Sequence, residues 1–247
     1  MFSKKISVRH LVEFILRRGN LSSQKTSNHT AQEGAKIHRK LQKAAGDNYQ
    51  KEVFLKEETT VENDKITVEG RADGIFKEDE DWIIDEIKTS EVQFEELEDD
   101  QIEMYFYQAM VYAYIYSLQN DLTNIQVQLS YYQTIEEKTV QRRRSYEWSF
   151  LKDFFDKLIK EYHKWLVFQE KWREQRNKTL QQMDFPYQKF RSGQRELAAA
   201  AYKTLRSQQE LFVEAPTGIG KTISTLFPAF KALGEDRADR IFYLTAK

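Results

Sequence analysis

Glycine and proline are scarce in this 247-residue chain, 9 and 3 in number. That scarcity commits most of the chain to long helices and strands joined by tight polar turns, because few positions can break a helix or adopt a left-handed backbone. All three prolines, Pro186, Pro216 and Pro228, fall in the last quarter, so the chain changes character there. Hydrophobic residues make up 40% and charged residues 31%, enough apolar material for a globular core and unlike a disordered or fibrous composition. The net charge is -1, so any affinity for nucleic acid must come from a local patch. With no cysteine, disulfides, thiolate zinc sites and a cysteine-ligated iron-sulfur cluster are excluded within these residues.

Apolar residues at helical spacing predict a helix over Ser7–Arg18 that stops at Gly19, and a second over about 30–46 with a capping box at Thr30 and Glu33. From Glu52 to Thr89 the pattern turns to β-rich runs, Val53–Val61, Ile66–Phe76 and Trp82–Lys88, split by ENDK and EDED; this predicts a three-stranded antiparallel meander. Helix returns over about Phe94–Leu118, then two strands, Ile125–Thr134 and Thr139–Trp148, then a long helix, roughly Phe150–Gln182. The longest uncharged stretch, Met104–Asn120, falls short of the ~20 apolar residues of a membrane span. The N-terminus lacks a cleavable signal pattern, and the default location is the cytoplasm, with no membrane partner.

The strand WIIDEIKT places Glu86 and Lys88 two apart and therefore on one face of the sheet, while Asp85 and Ile87 face the other way. Asp73, in GRADGI, lies on the neighbouring strand of the hairpin, where pairing brings its carboxylate beside Glu86. Two carboxylates with an adjacent ammonium can hold a divalent cation while the lysine orients or helps ionise a water, which is chemistry for phosphodiester hydrolysis. Taken alone, such a pattern is commonly a solvated strand face. Gln108 and Tyr112 lie one turn apart on the most apolar helix, and a buried glutamine requires hydrogen-bond partners. His38 sits on the apolar side of the second helix. The run Gln141-Arg142-Arg143-Arg144 is a candidate phosphate-contacting strand, although a charge run is more often a solvated face.

The order His38, Asp73, Glu86-x-Lys88, Gln108-x-x-x-Tyr112 on helix, hairpin, strand and helix resembles the RecB-like branch of the PD-(D/E)XK nucleases over about residues 1–180. The resemblance implies an α/β, restriction-endonuclease-like core, a central mixed sheet flanked by helices, as a domain over residues 1–182. It also implies that His38, Asp73 and Glu86 bind Mg or Mn, that Lys88 stabilises the nucleophilic water, and that Gln108 and Tyr112 position the DNA strand. Asp73, Glu86 and Lys88 would be catalytic. Relatives that carry an iron-sulfur cluster beside this core do so through cysteines that this chain lacks.

After MDFP the pattern reads as a helix over Ser192–Ser207, a strand Glu210–Glu214, a glycine loop, a helix and a strand Arg240–Thr245. The loop Ala215-Pro216-Thr217-Gly218-Ile219-Gly220-Lys221-Thr222 matches a Walker A sequence between an apolar strand and a helix, where backbone N–H groups and the helix N-terminus cradle phosphates. Lys221 would meet the β and γ phosphates and Thr222 would bind Mg. Phe185-Pro186-Tyr187 with Phe190-Arg191-Ser192-Gly193-Gln194 resembles the Q motif of superfamily 2 helicases, and EAPTGIGKT and YLTAK look like motifs I and Ia of the DinG/XPD-like group, over about residues 184–247. That resemblance implies an incomplete P-loop, RecA-like domain over residues 183–247, with Gln194 reading adenine and ATP as ligand. No acidic DEAH-type motif follows, so the remainder of its own motor is an expected partner, besides DNA, expected to be single-stranded. The sequence reads best as the N-terminal part of an ATP-dependent helicase with a metal-dependent nuclease domain. The alternative is a catalytically silent nuclease fold that guides single-stranded DNA to the motor.

Overall fold

The computed structural model describes residues 1–17 and 31–244. The chain is α/β: a mixed central sheet of six strands is flanked by helices. Its strands are β1 (Ser3–Ser7), β2 (Gln50–Val61), β3 (Asp64–Glu78), β4 (Asp81–Ser90), β5 (Asn124–Gln133) and β6 (Lys138–Glu147). Its helices are α1 (Val8–Leu16), α2 (Ala31–Ala44), α3 (Asp99–Gln119), α4 (Trp148–Gln182), α5 (Gln194–Ser207) and α6 (Lys221–Gly234). Contacts divide the chain into two compact units, Met1–Lys164 and Trp165–Lys247. The division falls inside α4 rather than at its end.

The meander expected from the alternating runs is present as β2, β3 and β4, each antiparallel to the next. Glu62 and Asn63, which close the β2–β3 turn, both have positive φ (49° and 74°), the backbone twist that suits a two-residue hairpin. β2 pairs along nearly the whole of β3. The other edge of β3 is shared: β1 runs parallel to it over Lys65–Glu69, and β4 runs antiparallel to it over Gly74–Glu78. Between those two ladders, at residues 70–73, that edge has no strand partner among the described residues. β4 continues away from β3 and pairs in parallel with β5 through the α3 crossover, and β6 closes the sheet antiparallel to β5.

β1 was not expected from the sequence. Its five residues, SKKIS, carry two lysines and no alternating apolar pattern, and only pairing with β3 makes them a strand. Ser7 then caps α1, its Oγ accepting from the His10 N–H at 3.2 Å. The predicted helix over Phe94–Leu118 is broken into a 3-10 turn, Phe94–Glu96, followed by α3. The cap at Thr30 and the stop at Gly19 lie outside the described residues. The core between sheet and helices is built from Val8, Leu11, Ile66, Ile75, Ile84, Ile87, Ile115 and Leu129, all 0–1% exposed, each worth about 1.5–3 kcal/mol of transfer free energy. α3 is buried on all sides from Phe106 to Tyr116, apart from the half-buried Tyr107, because it packs against β4, β5 and α1.

In the second unit α5 packs on α6, and the end of α6 is fastened to the last turns of α4. Asp236 accepts from Asn177 Nδ2 at 2.7 Å and from Arg173 Nε at 2.9 Å, and the Gly234 carbonyl accepts from Gln181 Nε2 at 2.7 Å. The strands expected over Glu210–Glu214 and from Arg240 onward are not formed: residues 209–216 and 240–244 carry no ladder, and Thr245 lies outside the described residues. A strand exists by its hydrogen-bonded neighbour, and among the described residues these segments have none. Their apolar side chains are left open, with Phe212 91% and Leu244 89% exposed.

Candidate active site

The first candidate site lies where β3 and β4 part. Continued antiparallel pairing would bring Ile87 opposite Ala72; instead, the Ile87 N–H donates to the Asp73 side chain, Oδ2, at 2.8 Å. Asp73 thus satisfies the backbone group that the parting of the strands would strand. The same carboxylate, through Oδ1, stands 3.6 Å from His38 Nδ1 on α2. Gln42, one turn further along α2, donates from Nε2 to the Asp73 carbonyl at 2.9 Å and so fixes the helix against β3.

Glu86 and Lys88 project from the face of β4 that Asp73 shares. Lys88 Nζ donates to Glu86 Oε1 in a short charge-assisted hydrogen bond and to Gln108 Oε1 at 3.3 Å. Its ammonium also lies 5.5 Å from the centre of the Tyr105 ring. Glu86 is 4% exposed. Burial pushes its carboxyl up to about 7, Lys88 pulls it down, and the Asp73 charge adds to the rise. Burial works against the Lys88 ammonium, but Glu86 and Asp73 more than offset it and hold its pKa above the ordinary lysine range. The buried Gln108 therefore has the partner its environment demands. Tyr112 is also buried, its hydroxyl bonded to the Arg71 backbone, and burial raises its pKa. Gly70 makes this approach possible, because a Cβ there would come 2.5 Å from the Tyr112 hydroxyl.

The structure thus brings Asp73, Glu86, Lys88, Gln108 and Tyr112 to one side of the sheet, with His38 beside Asp73. Carboxylate oxygens and an imidazole suit a hard divalent cation. Among the described residues, however, no three His, Asp or Glu side chains converge closely enough to form a ready-made metal cluster.

Asp85 points away from this group, as alternation requires, into a buried polar network that the sequence reading passed over. It accepts from Tyr49 Oη at 2.7 Å, Ser130 Oγ at 2.7 Å and Gln128 Nε2 at 3.1 Å. Burial nevertheless holds its pKa above the usual carboxylate range. Arg143 Nε donates to Gln128 Oε1 at 2.6 Å, and the same guanidinium pairs with Glu78. The arginine run is therefore not one free cationic edge. Arg144 makes a bidentate pair with Glu103 and lies over Phe106, and Arg142 lies over Phe94.

The second candidate site, the glycine loop, belongs to the second unit. Gly220 caps α6 with φ +85°, a left-handed backbone that favours glycine, and a Cβ there would come 2.5 Å from Gln194 Nε2. Gln194 is 3% exposed and accepts from the Arg191 N–H at 3.0 Å, while Arg191 Nη1 donates to the Gly218 carbonyl at 2.6 Å. The start of α5 thereby braces the loop. Lys221 Nζ donates to the Ala215 and Pro216 carbonyls at 3.1 and 3.0 Å, and Thr222 Oγ1 accepts from Tyr243 Oη at 3.1 Å. Thr217 and Ile219 lie in the turn between them, with Ile219 against Gly193. Phe185 stacks on Phe190, centroids 4.0 Å apart, whereas Tyr187 is 63% exposed.

Over 61 residues, 25% of this chain, the protein is 39% identical to the Probable ATP-dependent helicase MJ0942 of Methanocaldococcus jannaschii. The chain resembles a helicase over a quarter of its length. The match spans 9% of that helicase. No family model matches the chain. Among solved structures, the crystal structure of SSO0001 superposes with a TM-score of 0.43 at 18% identity, over 63% of this chain and 75% of that one, a level too low to carry a functional inference. Among the described residues no helix is long and apolar enough to cross a membrane.

Proposed function

We propose that the first unit is a PD-(D/E)XK-type nuclease domain that hydrolyses DNA phosphodiester bonds, and that the second unit binds ATP as the opening of a P-loop helicase motor. The observation that carries the nuclease reading is the joining of Glu86, Lys88 and Gln108 in one hydrogen-bonded set on the sheet face of Asp73. Asp73 and Glu86, with His38 beside them, are the residues that would hold Mg or Mn, which when bound polarises a phosphate and makes water a better nucleophile. Lys88 keeps its proton beside the carboxylates and is placed to hold a water by hydrogen bonding. Gln108 fixes the lysine, and the two act as a unit. Tyr112 braces the β3 backbone at residues 70–71, so the carboxylate of Asp73 is held in place. DNA is the proposed substrate, supported by the likeness to a protein named as an ATP-dependent helicase.

Labelled single-stranded and duplex DNA incubated with the chain and Mg or Mn should be cut, and Lys88→Ala or EDTA should stop the cutting. Cleavage that survives Lys88→Ala would overturn the assignment. A second reading, a silent fold that guides single strands, is favoured by the lack of a converged three-ligand cluster among the described residues; it predicts DNA binding without cutting under every metal condition.

A further inference from the structure

α2 carries His38 and Gln42 toward Asp73 on one side. Its opposite side is a different surface. Lys36, Arg39, Lys40 and Lys43 stand at positions i, i+3, i+4 and i+7, one face of a helix, and all four are exposed. With Ala44 they line an open recess of about 630 Å³. Lys40 lies 6.0 Å from the centre of the Tyr132 ring. Among the described residues none of the four makes an ion pair, in contrast to Arg143 and Arg144, which are held by Glu78 and Glu103. Four like charges on two turns of helix repel one another by a few tenths of a kcal/mol per pair. The chain as a whole is near neutral, so this concentration of positive charge is local.

We infer that this face of α2 is a track for the phosphate backbone of a nucleic-acid strand, which it delivers to the Asp73–Glu86 face of the sheet. A polyanion is the ligand that satisfies four cations without an ion-pair partner among the described residues, and regularly spaced phosphates fit a row of them. The residues that would face the strand and the residues that face Asp73 belong to the same helix, α2. The inference rests on the nuclease reading for the destination of the strand. It does not rest on it for binding.

The test uses the full chain and a fluorescent oligothymidylate in Ca or EDTA, so that binding is read without cutting, over a series of salt concentrations. Replacing Lys36, Arg39, Lys40 and Lys43 together by alanine should lower affinity at least tenfold near 0.1 M salt. It should also reduce the slope of log affinity against log salt by about 0.7 for each cation lost. Alanine favours helix, and circular dichroism checks that α2 is kept. A variant with the three lysines changed to arginine should bind as the parent does; loss of binding there would assign the face a structural role and overturn the inference. An unchanged slope in the alanine variant would overturn it too, as would binding of the parent to phosphatidylserine vesicles but not to the oligonucleotide. If the parent binds through α2 and never cuts, the track stands and the nuclease reading fails.

Discussion

Glu86 is the carboxylate of the candidate site whose chemistry departs from its ordinary behaviour. Its carboxyl titrates near 7 rather than 4.5 because burial penalises the charge more than Lys88 rewards it. A carboxyl whose pKa is raised by folding binds more protons in the folded than in the unfolded state between those two values, so stability falls as pH rises from about 4.5 to about 7. Glu86→Gln removes that dependence and keeps an oxygen for Lys88 to bond. The variant should show a flatter stability profile between pH 5 and 7 in chemical denaturation, should melt within a few degrees of the parent at pH 8, and should not cut DNA. A collapse of stability at every pH would mean that the carboxylate itself supports the fold. At the other site, Lys221 bonds to the Ala215 and Pro216 carbonyls of its own loop. Lys221→Ala should weaken binding of a fluorescent ATP analogue at least tenfold with little change in melting temperature.

At the scale of elements, the site depends on how β3 and β4 separate. Two contacts hold that junction from the far side of the sheet: Tyr49 lies against Gly74, and its hydroxyl donates to Asp85. A Cβ at Gly74 would overlap the Tyr49 ring, which is stacked on Phe76. Gly74→Ala should therefore expel Tyr49, leave Asp85 short of a donor, and destabilise the first unit by about 2 kcal/mol or more. Tyr49→Phe removes the hydrogen bond alone and should cost about 1–2 kcal/mol. Urea denaturation of both variants separates the overlap from the lost bond. Equal losses would show that Tyr49 yields freely.

On the scale of the molecule, each candidate site is assembled within one compact unit, the carboxylate site from β3, β4, α2 and α3, the loop from α5 and α6. Lys88→Ala should then leave nucleotide binding intact, and Lys221→Ala should leave metal-dependent cutting of single strands intact. Parallel assays of both activities on both variants read this directly. A loss of cutting in Lys221→Ala would mean that the loop acts on the nuclease face.

The sequence by itself determined what local rules control. Period-two runs marked β2, β3 and β4, the apolar helical run marked α3, and strand alternation already set Glu86 with Lys88 and turned Asp85 away. The glycine loop was legible because its backbone needs residues of that kind. Tertiary structure decided the rest, for reasons that no local pattern encodes. β1 is a strand through its pairing with β3, and residues 209–216 are none for want of a neighbour among the described residues. The arginine run was a candidate phosphate-contacting strand, yet distant carboxylates, Glu78 and Glu103, claim Arg143 and Arg144, whereas among the described residues the lysines and arginine of α2 have no ion-pair partner. Which charge is free depends on what the fold brings within a few ångströms of it, and that is settled by long-range packing.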